Sequence, residues 1–367
     1  MSNTYQSIPI NKWLLPLSWL YGLIVFFRNK FFDWGIFKQE SFDIPIICIG
    51  NITVGGTGKT PHTEYLVNLL HQKYRVAVLS RGYGRKTKGF ILSDEESTSL
   101  TIGDEPFQIK QKFPDIIVAV DGNRRRGIRY LLELDNPPEI ILLDDAFQHR
   151  YVKPSYIILL SNFNRPMYQD KLLPAGRLRE SFSNYQKANM IIVSKCPPEL
   201  KPIDYRIMSH DIHPYPYQSL FFTKYVYKKL IPVFGDKKKA LDLDSLENKD
   251  ILLVTGIASP AMILKLLNNY TDKIEEMTFP DHHTFKQKDI KRIQKRFEEI
   301  ESKNKIILVT EKDATRLVLR EDIDETIKHS IYSLPIEVSF DGAENEFDNK
   351  ILKHVRENTR NRILYQK

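Results

Sequence analysis

The chain has 367 residues, 42% hydrophobic and 27% charged, a balance that excludes disorder, collagen and coiled coil as overall descriptions and fits roughly two or three domains. Lys and Arg number 54 against 46 Asp and Glu, a net charge of +8, with the surplus clustered at 81–88, 124–129, 237–239 and near the C-terminus. Such clusters suit anionic partners, either phosphates or acidic lipid, although any one of them reads first as a solvated face. Net charge is the whole case for a nucleic-acid partner, and none is expected.

The first element in chain order is Trp13 to Phe27, WLLPLSWLYGLIVFF, which carries no charge and is followed by Arg28 and Lys30. At ~1.5 Å per residue it covers about 22 Å as a helix, short of a ~30 Å hydrocarbon core, and Pro16 and Gly22 weaken it further. The sequence RNKFFDW behind it offers no signal-peptide cleavage site. Two readings stand: a buried core helix, or an interfacial helix with Trp13, Trp19, Tyr21 and Trp34 at headgroup level and its cations on lipid phosphates.

Apolar strand-like runs at 44–49, 75–79, 116–120, 140–143, 156–160 and 190–193 then alternate with helical patterns. This is the signature of βαβ units and a parallel sheet with helices on both faces. Cys48 and Cys196 each adjoin such a run and read as buried thiols; two cysteines exclude a disulfide framework or a cysteine zinc site. The pattern breaks at 197–240, a Pro-rich stretch followed by the alternating SLFFTKYVYKKLIPVFG. It resumes with strands at 251–255 and 306–309 and helices near 261–268 and 286–302, and a second alternating stretch, SIYSLPIEVSF, covers 330–340. The two alternating stretches read as a paired linker around an inserted α/β domain. The expected division is an N-terminal helix over 1–38, a nucleotide-binding domain over 39–225 completed by 341–367, and linker strands with a second domain over 226–340.

The most specific motif is GNITVGGTGKTP at 50–61, placed after a strand and before the helical HTEYLVNLL. Glycines let backbone N–H groups turn inward around phosphate oxygens, and the helix N-terminus adds its dipole. Lys59 can reach the β and γ phosphates of ATP, and the Thr60 hydroxyl can bind Mg²⁺. The strict phosphate-loop pattern wants Gly at 53, where Thr53 stands; Gly55 and Gly56 compensate, as in G-G-x-G-K-T variants. Thr53, Val54, Gly55, Gly56, Thr57, Gly58, Lys59 and Thr60 are therefore the expected nucleotide-binding residues. The run IILLDD at 140–145 ends an apolar strand in acid, so Asp144 is the expected Mg²⁺ partner, with Asp145 behind it.

A phosphate loop does not name a reaction. Guanine readers carry N-K-x-D, but SKCP at 194–197 has Pro in place of the reading Asp and NKDI at 248–251 lacks it too. Segregation-type membrane ATPases carry Lys just before the loop glycines, where Val54 stands. Kinase chemistry gains, and it needs groups that handle an acceptor hydroxyl. Asp104 and Glu105 in GDEP, and His282 and His283 in FPDHHTF, are the candidates; taken alone, the first also reads as a helix cap and the second as a surface turn or a lone metal site.

Taken together, PLSWLYG at 16–22, the 50–61 loop, SRGYGRK at 80–86, GDEP at 103–106, DDAFQHR at 144–150, LLPAGRLRE at 172–180, TGIASP at 255–260, FPDHHTF at 279–285 and TEKDATR at 310–316 resemble, in order, the tetraacyldisaccharide 4′-kinase family, the lipid A 4′-kinases of Gram-negative bacteria. Ala146 departs from the Gly common in the family. The resemblance implies an α/β protein: a P-loop NTPase-like parallel-sheet domain, a smaller inserted α/β domain on a two-stranded linker, and an N-terminal helix on the cytoplasmic face of the inner membrane. It implies ATP and Mg²⁺, with phosphoryl transfer to the 4′-hydroxyl of an acylated glucosamine disaccharide 1-phosphate. Asp104 and His282 match the family's catalytic pair, and Glu105 and Asp144 match acids near the metal. Arg81 or Arg124–Arg126, joined by Arg177 or Arg179, would serve phosphates. A membrane-associated nucleotide switch with no small acceptor is the alternative.

Overall fold

The computed structural model describes residues 8–257 and 259–365. Residues 1–7 of the expected N-terminal segment, Ala258 of the TGIASP motif and the last two residues lie outside that description.

The apolar runs become strands β1 (Ile46–Asn51), β2 (Val76–Ser80), β3 (Ile91–Leu92), β4 (Ile117–Val120), β5 (Ile140–Asp144), β6 (Tyr156–Asn162), β7 (Met190–Ser194) and β8 (Ser219–Phe222). They form one sheet in the order β3-β4-β2-β5-β1-β6-β7-β8, parallel throughout except at the β3–β4 edge. Strands β1, β2, β5 and β7 are buried at every position, as expected where helices cover both faces of a parallel sheet. After β9 (Lys224–Tyr227) come β10 (Ile231–Pro232), β11 (Asp250–Thr255), β12 (Ile274–Thr278), β13 (Lys305–Thr310) and β14 (Ile331–Leu334), a second sheet in the order β10-β14-β13-β11-β12. Finally β15 (Ile336–Ser339) pairs antiparallel with β9, Tyr227 opposite Ile336 and Lys224 opposite Ser339. Each alternating stretch of the sequence is thus divided: 219–235 supplies the edge of the first sheet, one linker strand and the edge of the second. A period of two records pleating, not the sheet a strand joins.

The helices are α1 (Leu15–Asp33), α2 (Lys59–Leu70), α3 (Ser99–Ile102), α4 (Asp104–Lys112), α5 (Arg124–Leu132), α6 (Pro202–Ile212), α7 (Ala261–Leu267), α8 (Gln287–Glu298), α9 (Glu311–Leu317), α10 (Glu325–Lys328) and α11 (Glu344–Tyr365). Leu66, Val67 and Leu70 of α2 share one apolar core with Ile109 of α4 and Phe347, Ile351 and Val355 of α11, so the end of the chain packs beneath the first sheet. Ile128 and Leu131 of α5 cover its other face. Both cysteines are buried and free.

Helix α1 is not a core helix. One side is fixed by polar bonds to the 148–180 segment: the Ser18 hydroxyl donates to Leu172 O at 3.0 Å, the Tyr21 hydroxyl to Arg179 O at 2.9 Å and the Asn29 amide to Glu180 Oε2 at 2.9 Å. The other side leaves Trp19 76% exposed, along with Leu20, Leu23, Ile24, Phe26 and Phe27, and Trp13, in the 3₁₀ turn just before the helix, is 93% exposed. No helix among the described residues is long and apolar enough to cross a membrane.

Candidate active site

The parallel sheet aims the C-terminal ends of β1, β2 and β5 at one edge, where ligands bind in open α/β sheets. The glycine loop leaves β1 there. Gly55 (φ 107°) and Gly58 (φ 84°) take the left-handed conformations that favour glycine, and α2 starts at Lys59. Asn51 clamps the loop by donating to Thr57 Oγ1 at 2.7 Å and to Thr53 Oγ1 at 3.4 Å, and Ser194 Oγ donates to Thr57 O at 2.7 Å. Val54 spends its N–H on Arg177 O at 2.7 Å, so Thr53, Val54 and Thr57 are held by bonds that shape the loop.

At the end of β5, Asp144 is fully buried. Its Oδ2 accepts from Ser80 Oγ at 3.4 Å, while Oδ1 finds no hydrogen-bond partner among the described residues. Burial, together with the charges of Glu105 and Asp145, pushes it up to about 7. An orphaned buried carboxylate oxygen in the field of two further acids fits a divalent cation, which would reverse that shift. Among the described residues no group of three or more His, Cys, Asp or Glu could hold a metal alone, so a cation here would lean on nucleotide oxygens. Asp145 takes the left-handed conformation (φ 46°) and receives Arg179 at 2.8 Å and Lys59 Nζ at 3.8 Å. Burial raises it, but Lys59 and Arg179 win and hold its carboxyl below the usual range.

The second sheet completes the cleft. Gly103 (φ 93°) starts α4, so Asp104 and Glu105 stand in its first turn. Asp104 Oδ2 lies 3.4 Å from His282 Nδ1 and 2.6 Å from Arg316 Nη2. His282 itself is in the left-handed region (φ 59°), its N–H donating to Gly256 O at 3.2 Å, with its Nε2 3.0 Å from Lys312 Nζ and its ring 5.1 Å from that of Tyr83. Lys312 also lies 3.7 Å from Glu105. His283 turns away, to Asp289 at 3.0 Å and onto the Phe279 ring, in its own domain's fabric.

Lys312 and Arg316 are the site residues that the sequence reading left without a role, although TEKDATR contains both. Thr310 caps α9 through Asp313 N–H, and the spacing from 312 to 316 is one helical turn, which puts both cations on one face. Asp313 steers Arg316 from behind at 2.9 Å. Of the 124–126 run only Arg124 is internal, buried against Asp121 O at 2.6 Å; Arg125 sits over the Tyr151 ring, and Arg126, exposed, forks onto Asp121 at 2.8 and 2.9 Å at the edge of the neighbouring basic cleft. Arg81, Arg85 and Lys88 line an open basic cleft of about 490 Å³ beside Tyr83.

A glycine loop between strand and helix, a buried strand-end aspartate and an Asp–His pair facing each other from two sheets define a P-loop phosphotransferase. The family described as tetraacyldisaccharide-1-P 4′-kinase matches residues 10–356, and the chain belongs to it. The tetraacyldisaccharide 4′-kinases of Bacteroides fragilis and Bacteroides thetaiotaomicron are 53% and 51% identical, covering 98% and 96% of this chain and 97% and 96% of their own lengths. That of Porphyromonas gingivalis is 48% identical over 90% of this chain and 92% of its own. Among solved structures, the "apo" form of LpxK from Aquifex aeolicus in complex with ATP superposes with a TM-score of 0.72 at 28% identity, over 93% of this chain and 98% of that one. The protein is a kinase of lipid A biosynthesis.

Proposed function

We propose that this cleft transfers the γ-phosphoryl group of ATP to the 4′-hydroxyl of a tetraacylated glucosamine disaccharide 1-phosphate, giving the bis-phosphorylated lipid A precursor. The observation that carries the reading is the meeting of Asp104 from the first sheet with His282 from the second, 3.4 Å apart. Lys59 and the loop N–H groups bind the β and γ phosphates. Thr60, Asp144 and Glu105 would hold Mg²⁺, whose chemistry is to neutralise charge on the β and γ oxygens. Asp104 orients the sugar hydroxyl and takes its proton late, because a loose transition state demands little of the base. His282 keeps the Asp104 carboxylate ionised and aimed. Since the pair is split between the 39–225 and 226–340 regions, closing of the two parts completes the site and keeps water from the γ phosphate.

The exposed aromatic side of α1 suits the lipid surface on which an acylated acceptor lives, which for an ATP user is the cytoplasmic face of the inner membrane. The direct test is γ-labelled ATP with the acylated disaccharide 1-phosphate in detergent. A labelled lipid, lost in Asp104→Ala, is expected. ATP hydrolysis and nucleotide-driven dimerisation with no labelled lipid would instead identify a membrane-associated switch.

A further inference from the structure

One cation beside the phosphate loop is used by none of these steps. Lys195 follows β7 within SKCP, the stretch that keeps the Lys of a guanine reader but lacks its Asp. It is held in the left-handed region at φ 61°, a conformation that is strained for a non-glycine residue and that concentrates at functional positions. Its ammonium lies 5.8 Å from the centre of the Tyr225 ring, on linker strand β9. Among the described residues it makes no hydrogen bond and no ion pair. The charged groups that act on it are Asp281, outside ion-pair contact, and Lys59, which repels it.

Gly56 supplies an independent observation. Gly55 and Gly58 need glycine for their backbone angles, but Gly56 does not appear in the left-handed region. What position 56 shows is proximity: a Cβ built there would lie 3.6 Å from Lys195 Nζ, in ordinary contact, so the ammonium stands against the loop at Gly56. A half-buried ammonium facing an aromatic ring, with no carboxylate in ion-pair contact, is an unmet electrostatic cost. An anion seated on the loop would meet it.

We infer that Lys195 is a second phosphate-binding cation, donating from Nζ to the phosphate chain of the bound nucleotide where that chain passes Gly56. This rests on reading the glycine loop as a nucleotide site. It also explains why the residue sits at the strand end used by guanine readers without the carboxylate that reads guanine: what remains is the cation, not the base specificity.

The test uses the full-length protein in detergent, with Lys195→Met and Lys195→Arg. A charge-assisted bond to phosphate is worth ~10- to 100-fold in affinity, so Lys195→Met should weaken ATP binding by that factor, ADP by less and AMP scarcely, while KM for the acylated acceptor holds. Lys195→Arg should restore most of the loss. Without nucleotide, Lys195→Met should melt at or above the wild-type temperature, because a half-buried charge without an ion-pair partner has been removed, and its stabilisation by ATP should shrink. Equal losses for ATP and AMP, ATP affinity within twofold of wild type, or a lower melting temperature with the ATP shift intact would each make Lys195 a structural residue and overturn the inference. Lys59→Ala separates the two levels: if it abolishes turnover while Lys195→Met changes nothing, only this inference fails; if Lys59→Ala stays active, the nucleotide-site reading itself fails.

Discussion

Arg316 brings its Nη2 to 2.6 Å from Asp104 Oδ2, closer than the His282 ring nitrogen, which stands 3.4 Å from the same oxygen. The Asp104 carboxylate is therefore held by two partners from the region of the second sheet. Burial alone would raise Asp104, but the bonds from His282 and Arg316 and the charges of Arg316 and Lys312 outweigh it and keep the carboxyl below the usual range. Asp104 is ionised at neutral pH and weakly basic, which suits late proton transfer.

Arg316→Lys keeps the charge but loses the fork, since Nε and Nη2 both reach Asp104. We expect kcat to fall ~10- to 100-fold, a loss of positioning, with ATP affinity within twofold of wild type. Steady-state kinetics beside nucleotide titration checks this; a weakened ATP site with normal kcat would remove Arg316 from the acceptor side.

Asp104→Ala, His282→Ala and the double variant form a thermodynamic cycle. If the pair works as one unit, all three lose kcat to a similar degree instead of multiplicatively, and each still binds ATP. Multiplicative losses would show two independent roles.

Much of this was legible in the sequence because strands of a covered parallel sheet are short continuous apolar runs, and a glycine loop and a strand-end acid sit at fixed places on them. GDEP and FPDHHTF were visible as polar motifs, but 178 residues separate Asp104 from His282, and only the family resemblance paired them. Lys312 and Arg316 were hidden because charged residues one turn apart on a short helix usually face solvent. The fate of 330–340 was hidden because Pro335, between two strands of like pattern, moves the chain from the second sheet to the linker with no change in alternation. For α1, composition left core and surface equally open; polar bonds from Ser18, Tyr21 and Asn29 decide which side docks.

Asp144→Asn separates stability from activity. The wild-type carboxylate is buried, repelled by Glu105 and Asp145, and has one oxygen unpartnered. Neutralising it should leave the melting temperature of the metal-free protein unchanged or higher, while activity at saturating Mg²⁺ drops ~10²- to 10³-fold. A variant that melts much lower and retains turnover would make Asp144 a structural acid.

The last prediction concerns the far end of the contact between α4 and α9. These helices are strapped by Arg316 on Asp104 at one end and by Lys112 on Glu311 at 3.5 Å at the other. Lys112 also pairs with Glu64 of the phosphate-loop helix at 2.6 Å, and Gln108 donates to the same carboxylate at 2.7 Å. Glu311 accepts in turn from Ile336 N–H on linker strand β15 at 3.2 Å. One ammonium thus serves two carboxylates, Glu64 buried and Glu311 half-buried. Burial, then repulsion from Glu64, raises Glu311 from 4.5 to about 7, with Lys112 opposing. The sign follows from proton counting: between those two values the folded chain keeps a proton that the unfolded chain releases, so this group's contribution to stability is full below 4.5 and is lost as pH rises to 7. Glu311→Gln removes that dependence. Thermal melts from pH 4.5 to 7.5 should show the wild type losing stability relative to Glu311→Gln as pH rises, by up to about 3 kcal/mol. Lys112→Met should show the opposite contrast, with two unneutralised carboxylates and its steepest loss above pH 7, and adding Glu311→Gln should recover most of it. Parallel curves for wild type and Glu311→Gln would mean that Glu311 is ionised throughout and that Lys112 satisfies both acids unaided.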